Sequence, residues 1–403
     1  MMDRNTFDKC RRELRKIVLS KIDCFNDIED EEVYKWIDEA LMEKCRTVYL
    51  SISDRKQLRL EIFNSLRKLD VLQEIVDCPD ITEIMVNGTE HIFIEKAGQI
   101  YEWGRHFESH EKLWDVIQHI VSKTNRIVNE SSPIVDTRLE NGSRVNVVLP
   151  PIAINGPIVT IRRFPEEAIT MEGLLKLNSI DEPTAYFLEK LVKAKYNIII
   201  SGGTGSGKTT FLNVLSEFIP KDERIITIED AAELQIRGIA NLVRLETRNA
   251  NSEGKNEIGM RELIKSALRM RPDRIIIGET RGSECVELLQ AMNTGHDGSI
   301  STGHANSASD MLARMEMMVL MGMDIPLVAV QRQIASAIDI IIHLGRMKDK
   351  SRKVLEVVEV EGYKNGEFML NPLVKFVSEG EKNNKIYGKY EVCGQLKNDF
   401  KLN

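Results

Sequence analysis

Eight consecutive residues of this chain have the types and spacing that bind a row of phosphates. Residues 202–209 read Gly-Gly-Thr-Gly-Ser-Gly-Lys-Thr, and an isoleucine run at 198–200 precedes them. Glycines let backbone N–H groups converge on phosphate oxygens, and a helix that begins near Lys208 directs its positive end at them. A glycine-rich linker needs no such strand before it. The pattern therefore predicts a nucleoside triphosphate site.

Within that loop we expect Lys208 to reach the β and γ phosphates and the Thr209 hydroxyl to ligate Mg²⁺. The predicted cofactors are accordingly ATP and Mg²⁺. The predicted nucleotide-binding residues of the segment are Gly202, Gly203, Thr204, Gly205, Ser206, Gly207, Lys208, Thr209 and Thr210.

Two apolar runs downstream of the loop each end in a carboxylate. Residues 224–229 end in Glu229, and residues 274–279 end in Glu279. In a parallel sheet the carboxyl ends of the strands line the ligand crevice, where one acid can hold Mg²⁺ through water and another can orient the attacking water. The alternative for either acid is a structural one, in which it caps a helix or pairs with a neighbouring arginine.

Two histidines, His296 and His304, lie eight residues apart at opposite ends of a short predicted strand. That separation does not suit the i, i+4 pair of a zinc protease, so we predict no metal site there. His304 follows the carboxyl end of the strand, where it can contact a γ-phosphate, and we expect His296 across the loop. The alternative for each is a packed, hydrogen-bonded histidine.

The bulk composition excludes several classes of protein. The 403 residues include 55 Lys and Arg against 62 Asp and Glu, and the net charge of −7 provides no general attraction to nucleic acid or anionic lipid. The six cysteines form no C-x-x-C pair, so neither a zinc tetracysteine nor a disulfide framework is expected. No apolar run approaches the ~20 residues of a membrane span. We expect a cytoplasmic protein.

The hydrophobic pattern changes along the chain and predicts an α/β protein of several parts. Apolar residues at helical spacing predict a helical bundle over 1–75, and short β-rich runs around one helix predict an α+β domain over 76–165. A linker over 166–180 leads to alternating strands and helices over 181–346, which predict a parallel sheet flanked by helices. A β-rich tail is predicted over 347–403.

Four motifs, taken in chain order, resemble those of the secretion ATPases of type II secretion, type IV secretion and type IV pili. They are the phosphate loop, an Asp box at 228–234, a Walker B segment Gly-Glu-Thr-Arg at 278–281, and a His box at 294–307. Three further passages, 82–88, 132–139 and 290–299, are closer to the CpaF/TadA branch, the motors of tight-adherence (Tad/Flp) pili. The resemblance covers about residues 70–360.

The resemblance implies a RecA-like P-loop NTPase core preceded by an α+β, PAS-like domain, with nucleotide bound between the two. It also implies a homohexamer at the cytoplasmic face of the cell membrane, which works on polytopic inner-membrane platform proteins of a pilus or secretion system. No nucleic-acid partner is expected. The implied reaction is ATP hydrolysis coupled to pilus assembly, and retraction remains open beside assembly.

The resemblance further implies roles for individual residues. Glu229 would polarise the lytic water and Glu279 would join the Mg²⁺ shell, although these two roles could be exchanged. Arginines of the N-terminal domain would reach the phosphates, unless they only balance an acidic surface. The candidates outside the loop are Glu229, Glu279, His304, Arg144 and Arg162 for catalysis, and Arg281 and His296 for nucleotide contact.

Three alternative functions share the phosphate loop. A type IV secretion ATPase or nucleic-acid translocase would use the same nucleotide chemistry. A nucleotide-switched scaffold would bind ATP with negligible hydrolysis, which the intact Lys208, Glu229 and Glu279 disfavour. A small-molecule kinase would need a lid or an acceptor site, and the sequence contains no signal for either.

Overall fold

The computed structural model describes residues 3–21, 28–96, 98–124, 126–163, 169–248, 256–382 and 385–402. The chain divides into two compact units, Met1–Glu166 and Glu167–Asn403. The predicted boundary at residue 165 and the start of the predicted linker lie outside the described residues. No helix within the described ranges is long and apolar enough to cross a membrane.

The first unit begins with a helical bundle. Its helices are α1 (Arg4–Leu19), α2 (Asp30–Lys44) and α3 (Ile52–Arg67). The helix α3 starts with a capping box, because Ser51 accepts from the backbone N–H of Asp54 while the Asp54 carboxylate accepts from that of Ser51. Apolar residues at helical spacing from all three helices share one core.

The rest of the first unit is an antiparallel sheet with helices. Its elements are α4 (Leu72–Val76), β1 (Ile81–Asn87), β2 (His91–Lys96), β3 (Gln99–Trp103), α5 (His110–Ser122), β4 (Ile134–Arg138), β5 (Arg144–Val148) and β6 (Ile158–Arg162). The strand order is β3-β2-β1-β6-β5-β4. Alternate residues such as Val145 and Val147 are buried in a core that α4 and α5 share, so residues 69–76 pack with the sheet.

The second unit is built on one nine-stranded sheet. Its helices are α6 (Met171–Lys176), α7 (Glu182–Lys193), α8 (Lys208–Ser216), α9 (Met260–Ala267), α10 (Cys285–Asn293), α11 (Ala308–Gly322) and α12 (Leu327–Ala337). Its strands are β7 (Ile198–Gly202), β8 (Ile225–Glu229), β9 (Leu242–Glu246), β10 (Arg274–Ile277), β11 (Ile300–Gly303), β12 (Ile340–Arg346), β13 (Arg352–Lys364), β14 (Glu367–Lys382) and β15 (Lys385–Val392).

The strand order is β15-β14-β13-β12-β7-β11-β10-β8-β9. The six strands from β7 through β12 are parallel to one another. The parallel strands are isoleucine-rich because both faces of the sheet are buried: Ile199 faces one core and Ile198 and Ile200 face the other. The carboxyl ends of β7, β8, β10 and β11 therefore meet at one edge of the sheet.

The predicted β-rich tail is part of this sheet. β12 pairs antiparallel with β13, β13 with β14, and β14 with β15. The predicted boundary at 346/347 falls at the start of the β12–β13 turn, and hydrogen bonds join the strands on both sides of it. Residues 347–403 thus extend the central sheet within the second unit.

Candidate nucleotide-binding site

The predicted phosphate loop lies between the carboxyl end of β7 and the first turn of α8. Gly207 is the N-cap residue of α8, with φ of +92° and no side-chain hydrogen bond to the cap. A Cβ at Gly202 would lie 2.5 Å from the backbone oxygen of Leu344 on β12, so only glycine fits there. The loop thus approaches its neighbouring strand closely and presents backbone N–H groups at the start of a helix.

Lys208 is held against this loop. Its side chain is 8% exposed, and Nζ donates to the backbone oxygens of Gly202 at 3.0 Å and Gly203 at 3.1 Å. Burial lowers the pKa of Lys208, an effect that the charge of Glu279 opposes. The ammonium group is therefore positioned by the loop carbonyls beside the first turn of α8.

Lys208, His304 and Glu279 form a row at the ends of β7, β11 and β10. Lys208 Nζ lies 3.3 Å from His304 Nδ1, and His304 Nε2 lies 2.8 Å from Glu279 Oε1. Burial and then the charge of Lys208 lower the pKa of His304, which favours the neutral ring. A neutral ring that accepts from Lys208 at Nδ1 carries its proton on Nε2, next to the carboxylate.

Glu279 is the acid of this row, and it ionises more readily than an ordinary glutamate. Arg281 Nη2 donates to Glu279 Oε2 at 2.6 Å. Burial alone would raise the pKa of Glu279, but Arg281, His304 and Lys208 outweigh burial and lower it. No described residue makes a hydrogen bond of good geometry to Glu279 Oε1, although His304 Nε2 lies 2.8 Å away. A ligand at this carboxylate oxygen would therefore compete with His304.

Glu229 is more deeply buried than Glu279, with 3% of its surface exposed. Its Oε1 accepts from the backbone N–H groups of Glu233 and Leu234, both at 2.7 Å. Burial raises the pKa of Glu229 to about 7, against these two hydrogen bonds. Its Oε2 is buried without a hydrogen-bond partner, and its Cγ would lie 3.0 Å from a Cβ at Gly278. The side chain therefore lies beside the residue that precedes Glu279.

These features fit a bound Mg-nucleotide. The close-approach glycines, the α8 N-terminus and Lys208 suit phosphates. Among the described residues, Glu229 Oε2 and Glu279 Oε1 are buried without a hydrogen bond, the latter beside His304. Among the described residues no group of three His, Cys, Asp or Glu could hold a metal by itself. Mg²⁺ that keeps its waters and binds substrate phosphates needs only one or two protein oxygens, and Thr209 and Glu279 are the candidates here.

The expected position of His296 is wrong. His296 precedes the amino end of β11, where Ser299 Oγ donates to its backbone oxygen at 2.8 Å. The phosphate loop follows the carboxyl end of β7, and β7 and β11 are parallel, so a full strand length separates His296 from the loop. The two histidines mark opposite edges of the sheet, and only His304 reaches the site within the second unit.

The candidate arginines of the first unit, Arg144 and Arg162, belong to one row across its sheet. In register, Arg138 lies opposite Arg144, and Arg144 lies opposite Arg162. Asp136 Oδ1 lies 3.5 Å from Arg144 Nη2. Like charges directly opposite one another destabilise a sheet unless an anion compensates them. Carboxylates within the sheet compensate this row, because Asp136 lies beside Arg144 and Glu83 lies opposite Arg162.

Three residues near the loop were missed from the sequence. His343 on β12 contacts Ser201 at the end of β7, with 2.9 Å between Nδ1 and Oγ. Arg346 and Arg352 flank the β12–β13 turn beside the loop. The signal for the arginines was present, because residues 346–352 read Arg-Met-Lys-Asp-Lys-Ser-Arg with four basic residues in seven. His343 has no such signal, because only strand pairing brings it to Ser201.

This mixed α/β fold is similar to that of solved secretion ATPases. The pilus retraction motor PilT, solved with bound ADP, matches with a TM-score of 0.52 and 20% identity over 76% of this chain and 82% of that chain. Residues 66–390 match the family described as type II/IV secretion system protein. The chain belongs to this family.

Curated relatives agree with this assignment. A putative conjugal transfer protein of Mycobacterium tuberculosis is 32% identical over 293 residues, which are 71% of this chain and 83% of that protein. The conjugal transfer protein TrbB of Rhizobium radiobacter is 34% identical over 304 residues, which are 74% of this chain and 90% of that protein.

Proposed function

We propose that this chain is a P-loop ATPase with a RecA-like core, which couples Mg-ATP hydrolysis to the assembly of a Tad/Flp-type pilus or to related protein secretion. It would act as a homohexamer at the cytoplasmic face of a membrane, on polytopic membrane proteins. The observation that supports ATP hydrolysis best is the row of Lys208, His304 and Glu279 beside the glycine loop. Each member of the row ends or follows a different parallel strand.

The two acids suit two different tasks in this proposal. A pKa of about 7 lets Glu229 accept a proton from the attacking water near neutral pH and release it again. The lowered pKa of Glu279 keeps it ionised, as a ligand of the Mg²⁺ shell must be. Bound Mg²⁺ would neutralise charge on the phosphates. His304, between Lys208 and Glu279, would fix both side chains and respond to the γ-phosphate.

Lys208 and the loop would position the phosphates, and arginines would stabilise the negative charge that develops on them. Arg281 is tied to Glu279 in the second unit. We also propose that Arg144 and Arg162 of the first unit supply guanidinium groups to the phosphates. Their adjacent positions in register, which bring two guanidinium groups together on the sheet, support this role.

A second candidate is a type IV secretion ATPase of a DNA-transfer system. The names of two relatives favour it, since both are called conjugal transfer proteins. The net charge of −7 opposes a nucleic-acid track on this chain itself. A protein-secreting motor should hydrolyse ATP at the same rate with and without DNA, whereas a translocase that moves on DNA should be stimulated by it.

The deciding experiment measures phosphate release from the purified chain with Mg-ATP, with and without DNA. Lys208→Ala should abolish hydrolysis, and Lys176→Ala, at an exposed lysine of α6, should not change it. Strong stimulation by DNA would refute the pilus assignment in favour of a translocase. Wild-type release no faster than that of Lys208→Ala would favour the nucleotide-switched scaffold.

The oligomer has a test of its own. In the presence of ATP, light scattering should find a species near six times the chain mass of 45.9 kDa. A monomer at micromolar concentrations, with and without nucleotide, would refute the hexamer.

A further inference from the structure

The hairpin of β12 and β13 lies beside the phosphate loop. β12 runs parallel to β7 with Leu344 in register with Gly202, so the residues after Leu344 continue alongside the loop. β13 then returns antiparallel, and Arg346 lies directly opposite Arg352. The topology therefore brings two arginines to the loop from the C-terminal part of the chain.

Both arginines are close to the loop backbone. Arg352 Nε donates to the backbone oxygen of Gly205 at 2.9 Å, and Arg352 Cδ would lie 3.2 Å from a Cβ at Gly207. Arg346 Nη1 would lie 3.6 Å from a Cβ at Gly205. A Cβ at Gly205 would make ordinary contact with Arg346 and one at Gly207 would press on the flexible Arg352 side chain, so both arginines lie directly against the loop.

The positive charge of this pair is not balanced by its surroundings. Across the described part of the chain, neither arginine has a carboxylate within ion-pair distance, and the Nη groups of Arg352 have no hydrogen-bond acceptor. Asp349 of the intervening turn is occupied by Ser351 and by the backbone N–H of Ile386. Like charges directly opposite in a hairpin destabilise it. An anion at the loop would remove that cost.

We propose, on the basis of the proposed ATPase function, that Arg346 and Arg352 bind α- and β-phosphate oxygens of a nucleoside di- or triphosphate. Lys208, His304 and Glu279 mark the γ-phosphate end, and the strands that carry His304 and Glu279 lie on one side of β7. β12 and β13 lie on its other side. The arginines consequently approach the nucleotide from the end away from the γ-phosphate.

This placement predicts a binding effect that does not depend on the γ-phosphate. Arg346→Gln and Arg352→Gln should each weaken the binding of ADP and of ATP by the same factor, about tenfold, because each substitution removes a charge-assisted hydrogen bond. At saturating ATP, kcat should change by less than about twofold, since the residues near the γ-phosphate are untouched. The effect should therefore appear in KM and Kd.

The experiment titrates ADP and a non-hydrolysable ATP analogue into the full-length variants by calorimetry and measures KM and kcat with ATP. Arg346→Gln is the cleanest probe, because Arg346 makes no hydrogen bond to the loop within the described residues. Lys364→Gln, at the far end of β13, removes one positive charge from the same strand and should change nothing. Thermal unfolding of each variant reports whether the hairpin remains folded.

The outcomes separate this proposal from the ATPase proposal. Equal affinity of wild type and the folded Arg346→Gln/Arg352→Gln double variant would overturn the arginine assignment and leave ATP hydrolysis intact. A lower affinity for the ATP analogue with an unchanged affinity for ADP would also overturn the assignment, because that result would place the two arginines at the γ-phosphate. A wild type that binds neither nucleotide would refute both proposals.

Discussion

Replacing Glu229 by glutamine should stabilise the protein while it removes the proposed general base. Folding buries this carboxyl group and raises its pKa from 4.5 to about 7. A rise of this size corresponds to a cost on the order of 3 kcal/mol for holding the group ionised in the native state. Glutamine keeps an oxygen for the N–H groups of Glu233 and Leu234 but has no charge to bury.

The sign of the pH dependence follows from proton binding. Between pH 4.5 and 7 the unfolded chain has already released the Glu229 proton and the folded chain retains it, so folding becomes less favourable as pH rises. The destabilisation caused by the Glu229 carboxylate therefore reaches its full size only above pH 7. The advantage of Glu229→Gln over wild type should therefore grow by about 2 kcal/mol between pH 5.5 and pH 8.

The assay is urea denaturation of wild type and Glu229→Gln at both pH values, with phosphate release measured on the same samples. Glu217→Gln removes an exposed carboxylate from the same unit and sets the baseline for a change of charge. Hydrolysis by Glu229→Gln should fall about 10²- to 10⁴-fold. A stability difference that does not grow with pH would refute the buried-charge argument. Unchanged hydrolysis would refute the assignment of the base.

Three other substitutions test the second unit, one at a buried ion pair at the amino end of β10 and two in the site. Arg274→Leu should destabilise the protein by about 3 kcal/mol in urea denaturation, because Glu223, which accepts from Arg274 at 2.5 and 3.1 Å in a buried pair, would keep the more distant Lys195 at 3.6 Å as its cation. Replacing both Arg274 and Glu223 by Leu should recover part of this stability, and no recovery would contradict the pairing. Gly202→Ala should abolish nucleotide binding in a calorimetric titration, because its Cβ would meet the Leu344 backbone, and retained affinity would show that the loop tolerates the shift. His304→Ala should lower kcat with little change in the Kd of ADP. If kcat and the affinity for ADP fell by the same factor, His304 would be a general binding residue.

Local sequence was sufficient to predict the phosphate loop and the strand ends that accompany it. The loop depends on glycines, a lysine and a threonine that are adjacent in the chain. Glu229 and Glu279 each end or follow a short isoleucine-rich run, which is typical of a buried strand. The backbone conformation of a short segment is governed by its own residues. Such features are therefore visible without any knowledge of the fold.

Proximity between segments was not determined by local sequence. His296 and His304 are the same residue type at the two ends of one strand, and the direction of β11 decides which of them reaches the loop. Arg346 and Arg352 lie some 140 residues beyond the loop, and they reach it because β12 pairs with β7.

The chain by itself thus determined which residues can bind phosphate, and at which strand ends acids are available. The tertiary structure decided which of those residues meet, how deeply each is buried, and hence the pKa difference between Glu229 and Glu279. The physical reason is that glycine conformations and apolar periodicity act over a few residues. Strand order, burial and the electrostatic environment are set by contacts between segments that are distant in the chain.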